Sequence, residues 1–152
     1  MFNRRSLAGL AAALSATGLF ARSAAAAPPS TTSGSKHKVA YHVSDADKVD
    51  FVLRNMQNHI DGVGGPGKID MVLVAHGPAL RKMHNVEGDV DAIAKVSKMM
   101  NAGGVRFSAC GNTMQVMKFK ISDMPKGTTL AEQGGVVRLA QLQERGYTYI
   151  RP

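Results

Sequence analysis

The stretch IDMVLVAHGP, residues 69–78, decides the fold. Seven residues, apolar except for Asp70, run without the polar alternation of a half-exposed strand, and His76-Gly77-Pro78 then breaks the run. A short apolar run of this kind is the signature of a strand buried on both faces, as in a parallel sheet covered by helices. Upstream, GVGGPGK (62–68) is a turn, and its glycines close a helix in which Val49, Val52, Leu53, Met56 and Ile60 form one apolar stripe. Ser44 and Asp47 give a capping-box pattern at the start of that helix, and before them HKVAYHVS (37–44) reads as a strand. Downstream, Val90, Ile93, Ala94 and Met100 predict a second helix, closed by the glycines at 103 and 104. Residues 105–109 form a third strand, and Cys110-Gly111-Asn112 turns the chain into a short helix over 113–119. A fourth strand is predicted at 128–131. A last helix carries Val136, Leu139, Ala140 and Leu142 and ends at Gly146, and 147–151 is a final strand. Strands and helices alternating through short links predict an open, mostly parallel α/β sheet.

The first 26 residues stand apart. Arg4 and Arg5 precede an uncharged run rich in Ala, Leu and Gly over 7–20, and Ala24-Ala25-Ala26 supplies small residues for cleavage. This is a removable signal peptide; its run is shorter than the roughly 20 apolar residues of a membrane helix. The adjacent arginines resemble a twin-arginine signal, with the general secretory route as the alternative, and a periplasmic destination is expected. Residues 27–37 read as a flexible Pro/Ser/Thr/Gly linker and 38–152 as one domain.

The whole chain carries a formal net charge of +8, and loss of Arg4, Arg5 and Arg22 with the leader lowers it to +5. The remaining basic residues are scattered, with no aromatic-interleaved stripe, so no nucleic-acid partner is expected, nor a membrane once the leader is cleaved. GVGGPGK precedes a strand, the wrong side for a phosphate loop, and no dinucleotide or serine-elbow motif is present. No cofactor is expected.

In open parallel sheets the functional crevice lies beyond the carboxyl ends of the strands. Three predicted strands end in polar or reactive residues: at Ser44-Asp45 with His42 just inside, at His76-Gly77-Pro78, and at Cys110-Gly111-Asn112. Cys110 is the one cysteine of the chain. In an exported protein it cannot form an internal disulfide, so it is either a buried small hydrophobe or a reactive thiol. A strand-to-helix junction favours the thiolate, and His76 is a candidate to stabilise it or relay a proton. The bland readings are a turn residue for His76, packing for His42, and a helix cap for Asn112 or Thr113. A Cu(I) site built from Cys, Met and His, including Met99-Met100 and Met114/Met117, is the rival chemistry, but no close ligand spacing supports it.

The segments KVAYHVSD (38–45), IDMVLVAHGPAL (69–80), VRFSACGNTM (105–114) and LAQLQERGYTYIRP (139–152) together resemble the DsrE/DsrF-like proteins, in particular their single-domain branch. The resemblance implies a three-layer α/β sandwich around a five-stranded parallel sheet, and assembly into homotrimers or hexamers. It also implies sulfur-relay chemistry, in which a cysteine carries a persulfide between sulfur donor and acceptor proteins or small sulfur species. On this sequence Cys110 alone can be that carrier, with His76 and Asn112 tuning or shielding it. A binding module with a structural cysteine is the alternative.

Overall fold

A computed structural model describes residues 35–152; the predicted signal peptide and most of the predicted linker lie outside the described residues. Five strands form one sheet: β1 (His37–Val43), β2 (Ile69–Ala75), β3 (Val105–Cys110), β4 (Thr129–Ala131) and β5 (Thr148–Ile150). Their order is β4-β3-β2-β1-β5, and every pairing is parallel. The helices are α1 (Val49–Gly62), α2 (Pro78–Lys82), α3 (Val90–Asn101), α4 (Gly111–Met117) and α5 (Gly135–Glu144). The open parallel sheet between helices is the architecture expected, and β1 opens at His37, the last residue assigned to the linker.

Side chains alternate between the two faces along each strand. On one face Val39, Tyr41, Met71, Leu73 and Phe107 meet the stripes of α1 and α3 in the larger apolar cluster. The methionines explain themselves here: Met56, Met71, Met83, Met99, Met114 and Met124 are all buried in that cluster, where a flexible thioether fills gaps between helices. On the other face Ala40, Val72 and Val74 are covered by Leu139 and Leu142 of α5 together with Tyr147. None of the described helices is long and apolar enough to cross a membrane.

Several local expectations shift. The Ser44/Asp47 capping box does not form. Asp45 precedes a short 3-10 turn (Ala46–Lys48), and α1 begins without a side-chain cap. The Ser44 hydroxyl is engaged elsewhere, donating to Asp45 Oδ2 at 3.0 Å and accepting from the Arg151 guanidinium at 2.8 Å. The buried stripe of α3 is Ala92, Val96 and Met99, whereas Val90 and Ala94 face solvent. Asp89 fixes that phase by accepting from the N–H groups of Asp91 and Ala92. Along α5, Leu139 and Leu142 are buried and Val136 and Ala140 are exposed. The helix after β3 starts at Gly111 rather than Thr113, and α2 was not predicted at all.

Candidate functional site

Because β1, β2 and β3 are neighbours, their carboxyl ends converge as the strand endings predicted. Ala75 is in register with Ala109, so His76 and Cys110 follow side by side on the α5 face. His42, one step inside the end of β1, points to the same face as Ala40.

Cys110 is the N-cap of α4, in extended conformation, and is 5% exposed. Its sulfur accepts the Gly135 N–H at 3.1 Å, from the first residue of α5. Burial pushes the thiol pKa up. The Gly135 N–H, the Thr113 hydroxyl and the N–H groups of Thr113 and Asn112 around the sulfur favour the charged form and outweigh it, so the net shift is downward. The Thr113 hydroxyl oxygen also accepts the Gly77 N–H at 2.9 Å, which ties the turn after β2 to the turn after β3. Gly77 has φ of +57°, a conformation that favours glycine, and Pro78 then opens α2 at a position where its missing N–H costs nothing.

Gly135 is also where the thiol and His76 meet. A Cβ placed on Gly135 would lie 3.4 Å from the Cβ of Cys110, 3.4 Å from the Cβ of His76 and 3.4 Å from Cγ1 of Val74. The sheet and α5 therefore touch here through backbone.

His76 does not act alone. Its Nε2 lies 2.6 Å from Nε2 of His42, and Nδ1 of His42 lies 2.7 Å from the Tyr149 hydroxyl. Two ring nitrogens at that separation hold one proton between them. All three groups are satisfied when Tyr149 donates to His42, which donates to His76. The pKa of His42 is pushed down to about 4, first by burial and then by His76 and Arg151, with Asp45 opposing. His76 is also lowered, by burial and Arg151, again against Asp45.

The sign for stability follows. In the unfolded chain His42 takes up its proton near the ordinary histidine value of 6.5, while in the fold it resists protonation until about 4. Its contribution to stability is complete above about pH 6.5 and is lost as pH falls towards 4. Urea midpoints are expected to fall on acidification through this window, and His42→Gln is expected to flatten that part of the profile. A profile for His42→Gln parallel to that of the unaltered protein would reject this role for the pair.

The structure thus brings Cys110 and His76 together. Asn112 behaves differently from either expectation. It sits in the first turn of α4 rather than at the cap, because Cys110 occupies the cap. Its side chain lies against Gly134, where an added Cβ would come within 2.7 Å of Nδ2, and its backbone N–H serves the sulfur. His42, read from the sequence as packing, is the hydrogen-bonded partner of His76. Tyr149, Arg151 and Gly135 were not singled out. The strand alternation that puts His42 and Ala40 on one face was the available signal for His42; nothing local marks Gly135. Among the described residues, no group of three or more His, Cys, Asp or Glu is placed to hold a metal.

An all-parallel five-stranded sheet between helices, with a lone cysteine at the end of its β3 strand, defines a class of small three-layer α/β proteins. Three solved structures share that fold. A protein of unknown function from Methanobacterium thermoautotrophicum superposes with a TM-score of 0.64 at 22% identity, over 77% of this chain and 100% of that one. A conserved protein of unknown function from Bacteroides thetaiotaomicron gives 0.58 at 14% identity, over 76% and 94%. The ychN protein from E. coli gives 0.58 at 12% identity, over 76% and 99%. No curated protein matches the sequence. The profile of the DsrE/DsrF-like family matches residues 12–152, and the chain belongs to that family.

Proposed function

We propose that the protein accepts sulfane sulfur on Cys110 as a persulfide and passes it on. The observation that carries this reading is the setting of the sulfur, which accepts the Gly135 N–H of α5 and sits at the start of α4, a setting that favours its thiolate. Family membership supports the same chemistry. In the accepting step the Cys110 thiolate attacks a sulfur of a polysulfide. A new S–S bond forms on Cys110, one S–S bond of the donor breaks, and the shortened donor leaves with the electron pair. In the passing step an acceptor thiolate attacks the outer sulfur, and the Cys110 thiolate is the leaving group. The same N–H groups stabilise its charge, and no outside oxidant is needed. His76, backed by His42 and Tyr149, is the group positioned to supply or remove a proton at the crevice.

The signal-like first 26 residues support a periplasmic location for this activity. The resemblance to trimeric and hexameric relatives, together with exposed Leu130, Val136 and Val137 beside the crevice, supports a homo-oligomer.

The test is the mass of the protein after exposure to polysulfide, with and without reductant. A reducible gain of about 32 Da per sulfur on the Cys110 peptide is expected. The burial of Cys110 favours the second reading, a binding module with a structural cysteine. An unmodified native protein whose Cys110 is labelled only after unfolding would establish that reading instead.

A further inference from the structure

A cleft of about 370 Å³ opens between β4, the loop that follows it, and α5. Ser108, Thr129, Gly134, Arg138 and Gln141 line it, with Leu130 and Val137 as apolar walls. The relay chemistry described above uses none of these side chains.

Two of them lack partners. Ser108 is 1% exposed, and its hydroxyl has no hydrogen-bond partner among the described residues. A buried hydroxyl left unbonded is a cost that native proteins rarely carry without a reason. Arg138 is half-buried and takes part in none of the ion pairs among the described residues. Burial, and then the cations Arg145 and Arg106, lower its pKa, with Tyr147 opposing. Arg106 is itself committed to Asp70 and to the Tyr147 hydroxyl. Glu132, the one carboxylate on the cleft wall, is exposed and forms no ion pair with Arg138.

The remaining polar groups can donate from further sides. Gln141 gives one amide N–H to Gln133 at 3.2 Å and has a second to offer. The Thr129 hydroxyl is already spent on the Phe107 carbonyl. The cleft therefore presents an unpaired guanidinium and an amide, with an unbonded hydroxyl buried in its wall, and the guanidinium lacks a partner of negative charge. A tetrahedral oxoanion pairs with the guanidinium fork and keeps further oxygens for donors arriving from other directions.

We propose that this cleft is a binding site for a small inorganic oxoanion of the sulfate, thiosulfate or phosphate type. The inference does not depend on persulfide chemistry, since sulfate and phosphate have no sulfane sulfur to give. The occupant would touch Gly134, next to the residue whose N–H holds Cys110.

The test is amide-shift titration by NMR with sodium sulfate, thiosulfate and phosphate in turn, at constant ionic strength with chloride as control. Saturable shifts confined to Ser108, residues 129–134 and Gln141 are expected. Arg138→Gln removes a charged donor and is expected to weaken binding about tenfold. Ser108→Ala, which adds no bulk, is expected to weaken it by a smaller factor and serves if Arg138→Gln misfolds. The ion bound most tightly identifies the sulfur or phosphate source. Absence of saturation, shifts centred elsewhere, or titrations unchanged in both variants would overturn the proposal.

Discussion

Gly104→Ala is expected to lower stability by about 3 kcal/mol or more. Two causes act together. Gly104 has φ of +80°, where an L side chain is strained by roughly 1–2 kcal/mol. Its new Cβ would also stand 2.3 Å from the Pro66 carbonyl oxygen and 3.0 Å from that of Ile69, and neither backbone oxygen can rotate away. The Gly104 carbonyl accepts the Met71 N–H at 2.7 Å, so relief by backbone movement would pull on the β2–β3 pairing. Gly103 is the internal control. It has φ of +83° but nothing within 4 Å of its Cβ position, so Gly103→Ala should cost only about 1 kcal/mol. Urea unfolding of the two variants checks both figures; equal losses would show that the contact contributes nothing.

At Gly111 an added methyl is expected to disable the thiol as well as loosen the fold. Its Cβ would lie 2.8 Å from the Ala131 carbonyl oxygen and 3.0 Å from that of Glu132. The first turn of α4 therefore rests directly on the segment that leads from β4 into α5. Pushing the two apart separates the N–H groups of Asn112 and Thr113 from that of Gly135, and the Cys110 sulfur needs both sides. Gly111→Ala should cost about 1–3 kcal/mol. It should also move the Cys110 pKa back up towards the ordinary thiol range, so that less thiolate is present at neutral pH and sulfur uptake slows several-fold. The pH dependence of iodoacetamide labelling reads the first effect. An unchanged labelling profile in a folded Gly111→Ala protein would show that these donors do not set the thiol.

Much of this was legible in the residues. The mostly apolar run of residues 69–75 specified a parallel strand buried on both faces, and the strand endings put Cys110 and His76 at one crevice provided the strands are neighbours, as they are. The misreadings share a cause: each depended on what lay across the fold. Val90 and Ala94 fit a helical stripe in sequence, but Asp89 and the packing of α3 against α1 selected Ala92, Val96 and Met99. Ser44 fits a capping box, yet Arg151, more than a hundred residues away, takes its hydroxyl. His42 looked like a packing residue because a strand histidine shows no partner until β2 and β5 are set beside β1. Gly135 was invisible for the same reason, since its role is a backbone contact with a sulfur 25 residues earlier.

The unequal covering of the sheet has a consequence for when the sulfur can be reached. The face towards α1 and α3 is sealed by the large cluster; the face over Cys110 is held down by Leu139, Leu142 and Tyr147 alone. A segment with few apolar contacts is among the first to open in fluctuations far short of global unfolding. On the proposed relay, chemistry at a cysteine that is 5% exposed would proceed at the pace of α5 lifting from the sheet. Under that proposal the helix would serve as a clock for the thiol, admitting a partner briefly and shielding the charge between visits.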